Sequence, residues 1–192
     1  MNGKESADSL RRDCWDQAIY AFGTAWIFEQ RAKRYRWRLR ILDFLGIVVP
    51  VTVGGIVLSF GTMPTYLPYV FVPAGILSIV QLVMSVWSLV ARWEDALVYA
   101  EESVSSNHRL SREYEGLGRN PPGALADLKL RHSLLEKENQ LRNELDNKQG
   151  LTEREKRGGL RAGLRRFQRP CVACKQIPQS MKPSDCDVCG RF

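Results

Sequence analysis

The sequence predicts an all-α membrane protein, with a two-helix transmembrane hairpin, cytoplasmic amphipathic helices and a small C-terminal zinc ribbon. Three observations predict it. Residues 44–91 hold no charged side chain, in a chain where 26% of residues are charged. Apolar residues recur at helical spacing on both sides of that gap. The chain ends on two Cys-x-x-Cys pairs.

Residues 1–40 read as a cytoplasmic amphipathic helix running into a basic juxtamembrane segment. Trp15, Ile19, Phe22 and Trp26 fall at i, i+4, i+7 and i+11, one stripe of a helix. That stripe either packs on another helix or lies in the plane of lipid headgroups. Cys14 reads as a small apolar packing residue.

The uncharged run would measure roughly 72 Å as one helix, more than twice a bilayer's ~30 Å hydrocarbon layer. It carries its own break at Gly61–Pro68, where Pro64 and Pro68 each remove a backbone donor. The spans are therefore 41–61 and 69–91, joined by a non-cytoplasmic turn at 62–68. A soluble buried hairpin would show a polar face, and the first span has almost none. A signal peptide would start earlier and be shorter.

Sidedness comes from the flanks. Arg31, Lys33, Arg34, Arg36, Arg38 and Arg40 precede the first span without an intervening acid, and the joining segment is uncharged. Basic excess marks the cytoplasmic face, so both termini are expected inside. With Trp37 and neighbouring Tyr35, these cations read as lipid-headgroup contacts. A nucleic-acid patch is the alternative.

After the hairpin, residues 92–149 read as a cytoplasmic helical segment. Trp93, Leu97, Ala100 and Val104 continue the helical period, so the second span is expected to run on to about Tyr114. Gly116–Gly123, with Pro121 and Pro122, stops it. A further helix covers about Ala124–Lys148. Its Leu130, Leu134, Leu141 and Leu145 share a face, widened by Leu128 and Leu135, which needs the preceding helix or a second copy as partner. Gly150, Gly158, Gly159 and Gly163 then interrupt a basic stretch, and 150–170 reads as a linker with short helical turns. Net charge is +3 over residues 1–43, −2 over 92–150 and +6 over 151–192, so the arm and the tail make the chain basic.

Residues 171–192 read as a zinc ribbon. Cys171, Cys174, Cys186 and Cys189 have the spacing of a tetrahedral four-thiolate Zn²⁺ site. Two disulfides are the alternative, but they need an oxidising compartment and the topology puts this tail in the cytoplasm. Four thiolates close the coordination sphere, so the metal is structural. Lys175, Lys182 and Arg191 are placed to offset its negative charge, and Gly190 suits a tight turn.

With its Cys171, Cys174, Cys186 and Cys189 spacing and its Pro178–Ser180–Met181 spacer, the chain resembles the mobilome CxxC-x11-CxxC proteins of bacterial mobile elements. Those in turn resemble SLATT-domain proteins, two-span effectors of bacterial conflict systems. The resemblance implies a bacterial inner-membrane protein, a pore-forming or membrane-perturbing effector, and a signalling enzyme encoded nearby.

In the second span Ser78, Gln81, Ser85 and Ser88 form a polar strip. Such a strip either lines a water path in a homo-oligomer or packs against a neighbouring helix. The alternative function is a membrane-tethered adaptor whose basic zinc tail binds protein or nucleic acid. His108 and His132 lack metal spacing, and Asp13, Asp16, Glu94 and Asp95 read as solvated charges, so no enzyme is expected.

Overall fold

The computed structural model describes residues 3–60 and 67–192. Within them lie five helices: α1 Gly3–Phe60, α2 Leu67–Val90, α3 Trp93–Arg119, α4 Leu125–Asn147 and α5 Glu153–Phe167. Among the described residues there is no strand. The chain forms two units, one built from residues 31–99 and the other from residues 1–30 with 100–192.

The unit of residues 31–99 is a helical hairpin with its apolar side chains outward. Two of its helices are long and apolar enough to cross a membrane, each with a window of mean hydropathy 1.8. Phe44, Ile47, Val51, Leu58, Val72, Ile79, Leu82, Val86 and Leu89 are all exposed. The expected joining turn falls mostly on residues 61–66, outside the described residues, while Leu67 and Pro68 already belong to α2. The second span does not continue into the following helix. Arg92 takes a left-handed conformation at φ 50°, which ends α2 and lets α3 start afresh at Trp93. Its guanidinium turns onto Asp95 at 2.6 Å, in the first turn of the new helix.

The other unit packs helices on two faces of the N-terminal part of α1. On one face Cys14 and Ala18 meet Tyr114, Leu117 and Leu128 of α3 and α4. Cys14 is the packing residue expected: burial and the charge of Asp13 push its thiol up to about 11. On the other face the Trp15–Phe22–Trp26 stripe takes its packing option. Trp15 and Phe22 each stack edge-to-face on Phe167 of α5, at 6.2 and 6.0 Å. Phe22 also meets His108 at 5.4 Å.

The segment expected as a linker is helix α5. Thr152 and Glu155 form a reciprocal capping box at its start, and Gln168 ends it in a left-handed conformation. Its glycines are contacts, not breaks. A Cβ at Gly159 would sit 2.6 Å from the Gly23 carbonyl oxygen, and one at Gly163 would sit 2.5 Å from that of Ile19. Backbones therefore approach closely where α5 crosses α1.

Helix α4 is rotated opposite to the leucine-core expectation. Leu128, His132, Asn139, Arg142 and Asp146 are buried, while Leu130, Leu134, Leu141 and Leu145 are exposed. Hydrogen bonds fix the rotation. His132 Nε2 lies 2.6 Å from Asp13 Oδ2, and Asn139 donates to Gln17 Oε1 at 3.0 Å. Asp146, 1% exposed, accepts from Ser103, Asn107 and Arg142, and Arg142 also reaches Glu102. Asp13, half-exposed, is thus also a partner of a buried histidine. The Tyr114 hydroxyl, also enclosed, is held above its ordinary range by burial first and by the Asp13 charge second.

Removing Asp146 takes the buried one of Arg142's two carboxylate partners and an acceptor of Ser103 and Asn107, whereas trimming an outward leucine removes little packing within one copy. Asp146→Ala is expected to cost about 3 kcal/mol and Leu141→Ala less than about 0.5 kcal/mol, read from unfolding followed by circular dichroism. Gly163→Ala should cost about 1–3 kcal/mol by forcing α5 off α1.

Candidate metal centre

The tail begins where α5 stops and folds back as two turns, each carrying one Cys-x-x-Cys pair. In the first, the Cys171 amide donates to Gln176 O and the Lys175 amide to Cys171 O, both at 2.9 Å. Lys175 closes it at φ 57°. In the second, the amides of Gly190 and Arg191 donate to Cys186 O at 2.8 and 3.1 Å. Gly190 is needed for close approach: a Cβ there would lie 2.3 Å from Ser184 O.

These turns aim four sulfurs at one point. Cys171 Sγ lies 3.9 Å from Cys186 Sγ, and Cys174 Sγ lies 3.9 Å from Cys189 Sγ. All four ligand atoms fall within 4.8 Å of one another. A tetrahedral ion with metal–sulfur bonds of about 2.3 Å spaces its sulfurs about 3.8 Å apart, so the set fits one. The cysteines are free thiols, spaced well beyond a disulfide bond. Backbone amides of Cys189 and Val188 directed at Cys186 hold its thiol down at about 6. Burial pushes the Cys189 thiol up instead. With four protein ligands, such an ion keeps no open position.

The centre is anchored from beneath by an arginine. Arg161 of α5 is buried and donates to Ser180 O at 2.8 Å, Ser184 Oγ at 3.1 Å and Cys189 O at 3.2 Å. It ties the middle and the C-terminal end of the spacer, and the second turn, to α5. Cys171 and Cys189 pack with Ile19 and Leu164, so α1 and α5 floor the site. Arg191 pairs with Asp187 at 2.9 Å, and Lys175 and Lys182 are exposed. Arg161 is a buried cation held against the second turn, which the sequence reading did not single out. Its signal in the sequence was a single arginine within Gly-Gly-Leu-Arg-Ala-Gly-Leu.

A family model described as "Mobilome CxxCx(11)CxxC protein" matches residues 11–192. The chain belongs to this mobilome CxxCx(11)CxxC family. Comparison with curated proteins and with solved structures returned no match. In this mobilome protein the match extends into both units and includes the four tail cysteines.

The remaining predicted residues lie in the hairpin unit. Ser78, Gln81 and Ser85 line a groove of about 490 Å³ with Gly46, Val49, Pro50 and Val53 of α1. Gln81 Nε2 would lie 3.0 Å from a Cβ at Gly46, and Ser88 is buried. Ser78, Gln81 and Ser85 thus border α1, with Ser78 still exposed. Arg38 stacks on Trp93 at 5.3 Å, while Trp37 and Arg40 are exposed. Arg31 is half-buried, and Lys33, Arg34 and Arg36 are exposed.

Elemental mass spectrometry should find one tetrahedral metal ion per chain, lost in Cys174→Ser. Arg161→Gln, with all four thiols intact, should weaken metal retention against a chelator by about 10–100-fold. Protons compete with the metal for thiolates, so retention should fall as pH is lowered.

Proposed function

We propose that this chain is a two-span membrane protein with a structural Zn²⁺ in its tail, acting as an oligomeric, membrane-perturbing effector of a mobile element. One observation carries the reading. The hairpin turns a continuous apolar surface outward over two helices that contain no charge from Phe44 to Val90. Exposed apolar area of that extent calls for lipid or protein as its solvent. The mobilome family supports the genetic setting. A SLATT-like mode of action, with two spans followed by cytoplasmic helices, is part of this proposal.

The recessed Ser78–Gln81–Ser85 groove supports helix packing as the resting role of the polar strip. Opening the hairpin within an assembly would turn those side chains toward a water path. No charged side chain lies between Phe44 and Ala91, so such a path would discriminate poorly between ions. The basic arm, Arg31 to Arg40, supports an inner-membrane placement with both termini cytoplasmic. Thiolate zinc in a reducing compartment is consistent with that sidedness.

A second reading has its own observation. Arg154, Arg157 and Arg191 surround Phe192 at a depression of about 510 Å³ beside the metal turns. An adaptor binding nucleic acid would use these cations on phosphates and lose affinity steeply with salt.

Purified full-length protein reconstituted into liposomes should release an entrapped dye, and Gln81→Leu should change the rate several-fold. Liposomes that stay sealed at every protein density, together with salt-sensitive binding of single-stranded DNA or RNA, would favour the adaptor.

A further inference from the structure

The leucine row of α4 is an inverted helix face. Leu130, Leu134, Leu141 and Leu145 are 60, 58, 64 and 45% exposed, although the same helix buries a histidine, an asparagine, an arginine and an aspartate. The inversion is not a loose rotation. The Asp13–His132, Gln17–Asn139 and Ser103–Asn107–Asp146 contacts hold the polar side inward at three heights along the helix.

Beside the row lies a concavity of about 430 Å³ between α3 and α4. Its apolar floor is Leu117 and Leu135, and Gly116 leaves it open, with nothing within 4 Å of the space a Cβ would take. Glu113, Arg131 and Glu138 rim it, and Leu134 belongs to both row and concavity. A ridge and a hole side by side on one face are what a two-fold interface requires, since each copy supplies both parts. We infer that this α3–α4 face is where a second copy of the chain docks, the leucine row of each copy seating in the other's concavity.

Charge selects that occupant. The flanks of the row carry Asp127, Arg131, Lys137, Glu138, Glu144 and Lys148, both signs interspersed. A bilayer surface prefers a strongly basic flank, and a basic or acidic ligand prefers one sign. A mixed flank complements itself. The row from Leu130 to Leu145 runs about 22 Å at 1.5 Å per residue. Two such helices laid together, with the α3 rim covered, approach the roughly 1,000 Å² total that a specific interface needs. The inference stands apart from membrane perturbation: a chain that leaves liposomes sealed can still pair through α4.

A photoreactive benzophenone residue at Leu141 of the full-length protein, in native membranes, tests this. Illumination should give an adduct of twice the chain mass whose linked peptide maps to α3 or α4 of a second copy. Gly116→Phe, which fills the concavity, and Leu130→Gln, which breaks the row at an exposed position, should each reduce the adduct at least tenfold with helicity unchanged. Linkage to lipid or to a different protein, absence of the dimer adduct, or full yield in both variants would overturn the inference.

Discussion

From Phe44 to Ala91 the chain offers water nothing to solvate except backbone and a few hydroxyl and amide side chains. Helix pairs most of the hairpin's backbone internally, with Pro50 and Pro73 as exceptions, so the burden falls on side chains that are mostly exposed. On the reading proposed here, lipid takes up that surface. On that proposal the basic arm would sit at a headgroup boundary and the tail in a reducing compartment, where its thiols would meet a metal instead of each other.

The second unit obeys the opposite rule. Its interior holds a layer of polar groups, and its surface holds the leucine row. Burying polar groups is tolerable because nearly all of them are paired: Asp146 with Ser103, Asn107 and Arg142, His132 with Asp13. Such a layer is directional where an apolar one is not, and it fixes the rotation of α4. The metal turns depend on the same body. They rest on Ile19 and Leu164 and are tied down by Arg161, which is why about twenty residues without helix or strand hold one shape.

Long-range features were legible in the sequence where composition alone decides them. The charge gap locates the two long apolar helices, and cysteine spacing locates the cluster. The spacing of the Trp15 stripe marked an apolar face but left packing and lipid contact both open, and did not point to Phe167 as its partner. What local sequence could not supply was which face of a helix loses water. Four leucines at helical spacing on α4 read as core, yet the weaker-looking series His132, Asn139, Asp146 won because Asp13, Gln17, Ser103 and Asn107 arrive opposite it from α1 and α3. Glycine was ambiguous for a related reason. Gly159 and Gly163 lower helix propensity locally, and only the approach of α1 turns their missing Cβ into an advantage. Likewise, continuity from the second span into α3 failed at Arg92, a single left-handed residue that hydropathy does not register.

The most direct test is partition of the full-length chain. Membranes from expressing cells, washed at alkaline pH and sedimented at high speed, should retain all of it in the pellet and release it only to detergent. A monodisperse protein left in the supernatant without detergent would contradict lipid as the hairpin's solvent.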